Sequence, residues 1–196
     1  MEIRLITAPA VEPVSLADAQ LHLRAPTSGA DATLISAYIQ AARETVEAHT
    51  GRALVTQTWQ ARLSAFPATG AVYLPRAPLI AVTTLAIVDA AGAVTTVAAD
   101  QYQVDASTGP YAQPGAVLPA SGVDWPETRA DTLGAVRVTF TAGYGATAAS
   151  VPAALRAAIL LIVGELYEQR EASAEKPTSD TAAIRRLMDP FRIWGI

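Results

Sequence analysis

Two histidines, three evenly spaced glutamates and a Gly-Tyr-Gly turn are the residues of this chain whose types could do chemistry. His22 stands between Leu21 and Leu23, and His49 follows Glu47 by two residues. A spacing of two puts Glu47 and His49 on different faces of a helix, and neither histidine has a second His at metal-ligand spacing. The chain has no Cys, which excludes thiolate metal sites and disulfides. No Gly-x-Ser-x-Gly elbow marks a hydrolase nucleophile. Gly143-Tyr144-Gly145 precedes a helix, as a phosphate cradle would. It lacks the Lys-Ser/Thr of a P-loop and the full dinucleotide fingerprint, so it reads as a turn. Glu165, Glu168 and Glu171 recur every three residues, the solvated face of a helix with Arg170 nearby. The expectation is no catalytic, metal-binding or cofactor-binding residue, no cofactor, and no enzymatic activity.

The elements around these residues fall into a helical front, a β-rich middle, a long helix and a tail. Ser15 with Asp18 three residues on is an N-cap signal for a helix through Arg24, which Pro26 ends. Asp31 caps a second helix whose stripe is Leu34, Ile35, Tyr38, Ile39, Ala42 and Val46, with Gly51 as its stop. Alternation then predicts a strand in which Val55, Trp59, Ala61 and Leu63 share a face. More strands are expected near Val72–Leu74, Val82–Val88, Val94–Val97 and Tyr102–Val104. Residues Ser107 to Asp131 hold four prolines and three glycines, which predicts a long irregular loop with at most a short edge strand at Ala116–Leu118. Val136, Val138 and Phe140 alternate with Arg137, Thr139 and Thr141 as a strand with one buried face. Ser150 and Pro152 then signal the start of an apolar helix. The fold class expected is α+β: a small helical bundle from the two N-terminal helices and the 152–171 helix, an antiparallel β region, and a C-terminal tail.

Composition narrows the partners. At 196 residues, 51% of them hydrophobic and with mean hydropathy +0.27, the chain suits one domain with a sizeable core. The apolar stretch Ala153–Gly164 carries Arg156 and is about half the roughly 20 residues of a membrane span, so no membrane partner is expected. Met1-Glu2-Ile3-Arg4 does not read as a signal peptide, so synthesis in the cytoplasm is expected. A net charge of −4, with Lys176 the single lysine, argues against tight non-specific DNA binding, which depends on clustered cations.

The tail carries its own signal. Ile184, Leu187 and Met188 recur at helical spacing after a polar stretch at Ala172–Thr181, and Pro190 stops that helix. Phe191, Ile193, Trp194 and Ile196 would leave an apolar patch in water, so something should cover it. Either the chain's own core does, or a partner, with Trp194 or Phe191 as anchors and Arg185, Arg186 and Arg192 pairing with an acidic surface. The hinge-like composition of 172–181 favours the partner, giving an expected division into a body at 1–171 and a docking tail at 172–196.

Several motifs occur together in an order that is similar to one family. They are Val14-Ser15-Leu16-Ala17-Asp18-Ala19, Leu23-Arg24, Ala41-Ala42-Arg43 with Val46-Glu47, and Thr50-Gly51-Arg52-Ala53-Leu54 leading to Gln57-Thr58-Trp59. Leu74-Pro75, Pro78-Leu79, Tyr102-Gln103-Val104-Asp105 and Trp125-Pro126 follow, then Thr141-Ala142-Gly143-Tyr144-Gly145, Val151-Pro152, Leu166-Tyr167-Glu168 and Arg170-Glu171. This order resembles the head–tail connector (adaptor) proteins of tailed bacteriophages and phage-derived gene transfer particles, over roughly residues 14–171. The resemblance implies a structural virion protein at the head–tail interface, in a ring of about twelve copies beneath the portal. It implies the portal protein and a stopper or other tail-joining protein as partners, with DNA passing through the lumen without specific binding. The portal-interface candidates are Ile184, Arg185, Arg186, Leu187, Met188, Phe191, Arg192, Ile193, Trp194 and Ile196. A ring of that size would carry about −48, which repels DNA if the acids face inward. The alternatives are another head–tail joining or tail-completion (stopper) protein, or a small enzyme with an unrecognised site in the 107–131 loop.

Overall fold

The computed structural model describes residues 1–25, 31–168 and 182–194. Pro26, residues 169–181 and Ile196 lie outside the described residues, and with them the expected stop of the first helix, the hinge and one interface candidate. The architecture is α+β, as the periodicities indicate. Contacts sort the chain into two units. A β unit takes Met1–Pro9 and Thr56–Gly143, and a helical unit takes Ala10–Val55 and Tyr144–Trp194. The expected boundary at 171/172 is therefore not where the contacts divide, because the described part of the tail belongs to the helical unit.

The helical unit is built from α1 (Leu16–Leu23), α2 (Asp31–Thr50), α3 (Ala153–Glu168) and α4 (Ala182–Met188). Ser15 caps α1 as expected: its Oγ accepts from the Asp18 amide at 3.1 Å and donates to the Asp18 carboxylate at 2.6 Å. Arg24 closes α1 in a left-handed conformation. The α2 stripe buries Ile35, Ile39, Ala42 and Val46 against Leu155, Ala158, Ile159, Ile162 and Val163 of α3, and Leu34 and Tyr38 are half-buried. Gly51 stops α2 with φ +74°, where a side chain would be strained. Asp31 is the first residue of α2, and its carboxylate accepts from the Tyr167 hydroxyl at 2.9 Å, fastening α2 to α3.

Two expectations in α3 are corrected. The Ser150 hydroxyl does not cap the helix; it lies 3.1 Å from the Thr147 hydroxyl, and Pro152 stands just before the first helical residue. Glu165 is half-buried, so only Glu168 of the two described glutamates is on a solvated face. His22 sits against α3 beside Gly164. Among the described residues, no helix is long and apolar enough to cross a membrane.

A buried ion cluster ties α2 to its surroundings. Arg43 donates to Glu12 at 2.8 Å and to Glu47 at 3.0 Å, and the other Glu47 oxygen accepts from the Leu54 amide at 2.8 Å. Burial works against the Arg43 charge, but Glu12 and Glu47 outweigh it and hold its pKa above the ordinary arginine value.

The β unit has a five-stranded antiparallel sheet in the order β1 (Glu2–Thr7), β2 (Gln57–Leu63), β8 (Val136–Ala142), β4 (Leu79–Val88), β5 (Val94–Thr96). A three-stranded sheet runs β3 (Val72–Leu74), β7 (Gly115–Pro119), β6 (Tyr102–Asp105). Val136, Val138, Phe140 and Ala142 of β8 all point to the buried face, as their alternation requires. The sequence gives no warning of β1, whose residues are nearly all exposed and carry no buried alternation. The expected edge strand at 116–118 is instead the centre of its sheet, with β3 and β6 on either side. Gly115 explains this placement: a Cβ there would come within 2.7 Å of the Leu79 Cβ, so only glycine lets β7 lie this close to β4. Trp125 pins the rest of the 107–131 segment by stacking on Phe66 at 4.2 Å and donating to the Gly70 carbonyl at 2.7 Å.

Candidate docking surface at the C-terminal segment

The C-terminal segment is α4, a 3-10 turn at Asp189–Phe191, and Arg192–Trp194 in extended form. The helical stripe and the turn bury Ile184, Met188 and Phe191 in the core of the helical unit. Leu187 packs half-buried beside them. These four of the interface candidates are covered by the chain itself, a correction to the reading of the whole tail as open to a partner. The physical reason is tethering. Arg52 donates from Nε to the Phe191 carbonyl at 2.5 Å, and the Ile193 amide donates to the Thr50 carbonyl at 3.0 Å. His49 Nε2 lies 2.8 Å from Asp189 Oδ1. Burial pushes the Arg52 pKa below its ordinary value, and Tyr144 acts in the other direction.

What remains outside is polar and aromatic. Arg185, Arg186 and Arg192 are exposed, and Ile193 is half-buried with its Cβ in van der Waals range of Gly51. Trp194 is 71% exposed, and the Arg192 guanidinium rests 4.2 Å from the centre of its ring. Arg185, Met188, Arg192 and Trp194 share one cleft of about 380 Å³ with Thr45, His49 and Asp189. Sequence reading missed these last three as parts of the surface, since Thr45 and His49 of α2 meet the tail only across a long sequence separation, 140 positions in the His49–Asp189 pair. The arrangement offers a large flat ring and two forked cations on a rigid base, suited to an acidic surface with a slot for an aromatic side chain.

The other chemistry candidates resolve as turns and packing. The Gly143 amide donates to the Pro78 carbonyl at 2.9 Å and the Tyr144 amide to the Leu54 carbonyl at 3.0 Å, so neither N–H is available to a phosphate. Among the described residues, no group of three His, Asp or Glu is placed to hold a metal ion.

A family model described as phage gp6-like head-tail connector protein matches residues 13–108. A solved chain from the neck of an empty gene transfer agent particle, computed with C6 symmetry, superposes with a TM-score of 0.82 at 28% identity, covering 100% of this chain and 97% of that one. The chain is similar to head–tail connectors. It is also similar to a chain of the native gene transfer agent virion, with TM-score 0.80 at 28% identity, and to one in the native particle's neck computed with C12 symmetry, with TM-score 0.77 at 27% identity. Each comparison covers 100% of this chain and 97% of the other chain. No curated protein matches it. The family model stops at residue 108, short of the C-terminal segment.

Proposed function

We propose that this protein is the head–tail adaptor of a phage-type particle, a structural virion protein that works as one copy of an oligomeric ring in the neck. The observation that carries the reading is the end-to-end likeness to neck chains of gene transfer particles, which extends through both units. In this reading about twelve copies sit beneath the portal, link the DNA-filled head to a stopper or other tail-joining protein, and surround a lumen that DNA crosses without specific contacts. A net charge of −4 per copy supports passage rather than retention of DNA. Deleting the gene should give DNA-filled heads without tails in electron micrographs; normally tailed particles would end the adaptor reading.

The portal is the partner we assign to the C-terminal surface, narrowed to Arg185, Arg186, Arg192 and Trp194. The exposed indole supports this, because an aromatic anchor beside paired arginines is the composition that dominates interfaces. Trp194→Ala should weaken portal binding by about 2 kcal/mol, or roughly 30-fold in Kd. Its melting temperature should stay that of the parent, since the ring packs into no core. Titration calorimetry with purified portal and a thermal melt check the two halves separately, and an unchanged Kd would remove Trp194 from the interface.

A further inference from the structure

A ring of identical copies closes through two unlike patches, each meeting the other on a neighbouring copy. The β unit carries a knob. Leu133, in the turn before β8, is 87% exposed, yet the turn around it is firmly held. The Arg129 amide donates to the Val88 carbonyl at 2.9 Å and the Val88 amide to the Ala135 carbonyl at 2.7 Å, on either side of the turn. Within it, the Thr132 hydroxyl donates to the Ala130 carbonyl at 3.1 Å. A side chain presented this way has little freedom left to lose on docking. Two half-buried cations stand at its base. Arg137 donates from Nε to the Gly134 carbonyl at 3.0 Å, and the Arg62 guanidinium lies against the same glycine. The two face each other across β2 and β8, a register in which like charges repel. Glu2 lies 3.9 Å from Arg62 but 2.7 Å from Arg4. Arg4, Arg62 and Arg137 against Glu2 and Asp131 of the turn leave the base of the knob cationic.

The helical unit carries a hole. A cleft of about 450 Å³ opens between the chain before α1, the middle of α2 and the loop before α3, with Val11, Ile39 and Ala146 in its walls. Val11 is 44% exposed, so part of the apolar wall faces water. Glu12 also lines the cleft. It shares Arg43 with Glu44 and Glu47, at 2.8, 3.6 and 3.0 Å: three carboxylates against one guanidinium, an excess of two negative charges. Ser15, another wall residue, donates to the exposed carboxylate of Asp18 at 2.6 Å, which adds a third. An apolar cleft with an acidic rim fits an apolar side chain that has cations at its base. Leu133 with Arg62 and Arg137 is that arrangement, on the other unit of the same chain.

We propose that Leu133 of one copy seats in this cleft of the next, with Arg62 and Arg137 facing Glu12 and Asp18, so that the β unit of each copy meets the helical unit of its neighbour. This contact rests on the ring reading above. Because knob and hole differ, it repeats from copy to copy instead of stopping at a pair. The absence of Cys makes the test clean. Leu133→Cys and Ser36→Cys, the second on the cleft wall, both change exposed residues. Particles are assembled from a mixture of the two full-length single variants and treated with a short bis-maleimide. The mixture should give a covalent dimer, neither single variant should, and the double variant should give a ladder beyond the dimer. Necks that hold the normal amount of the protein but give no dimer in the mixture overturn the contact and leave the ring reading standing. A dimer from Leu133→Cys alone also overturns it, since that shows two knobs meeting. Leu133→Asp gives a second readout. Its melting temperature should stay that of the parent, because the side chain is exposed. Its copies per neck should fall at least about tenfold, as expected when a buried leucine contact is lost; normal incorporation overturns the contact. Parent particles whose necks lack the protein overturn the ring reading, and the contact with it.

Discussion

Truncation after Ala174 is expected to lower the melting temperature of the protein by about 10 °C, although the cut falls beyond every element expected to form its body. The segment removed buries Ile184, Met188 and Phe191, each contributing about 1.5–3 kcal/mol. Tethers to Arg52, Thr50 and His49 add to that burial. The truncation also leaves Arg52, a buried cation, without the Phe191 carbonyl. The expected loss is about 4 kcal/mol, at about 2–4 °C per kcal/mol for a chain of this size. Phe191→Ala alone should cost about 3 kcal/mol. Circular dichroism melts of both variants give the answer, and a truncated chain melting within about 2 °C of the parent would show the segment to be only loosely held. Portal affinity measured on the truncated chain alone would mislead, because it mixes loss of the anchor with loosening of the unit that presents it.

Arg43→Met should cost about 3 kcal/mol, the second large effect. Its side chain is 7% exposed and that of Glu47 8%, so removing the cation strands a carboxylate in the interior. Glu47 cannot swing out to water without giving up the Leu54 amide. Adding Glu47→Gln to Arg43→Met should recover part of the loss, because the amide oxygen still accepts from Leu54 and the carboxylate left behind, Glu12, is 32% exposed and reaches water. Urea unfolding gives both midpoints, and a double variant less stable than Arg43→Met would contradict the stranded-charge account.

Periodic elements were legible from the residues and solitary ones were not. The stripe of α2 and the alternation in β8 announce themselves because each buries one face, α3 shows as an apolar run, and the Ser15 cap is local chemistry. β1 was missed because an edge strand with both faces near solvent needs no hydrophobic period. β7 looked like a fragment in a proline-rich loop; its central place depends on Gly115 fitting against Leu79, a contact between residues 36 apart. The tail was half legible. Its stripe and aromatic end showed that something must cover it, but which side chains the core would take depended on Arg52 and Thr50, whose roles appear only when the chain is folded.

The position of β8 has a consequence for how the protein is made. It is the last strand of its sheet in the chain and the one that joins β2 to β4, so the β1–β2 and β4–β5 pairs have no common partner until residue 142 has left the ribosome. α3 follows later still, so α1 and α2 also wait for their packing surface. At a typical 5–20 residues per second, roughly two to nine seconds of synthesis pass with two exposed strand pairs and two greasy helices on a tethered chain. Messages broken before codon 142 would yield open-edged fragments, the kind of product that chaperones and proteases take up first.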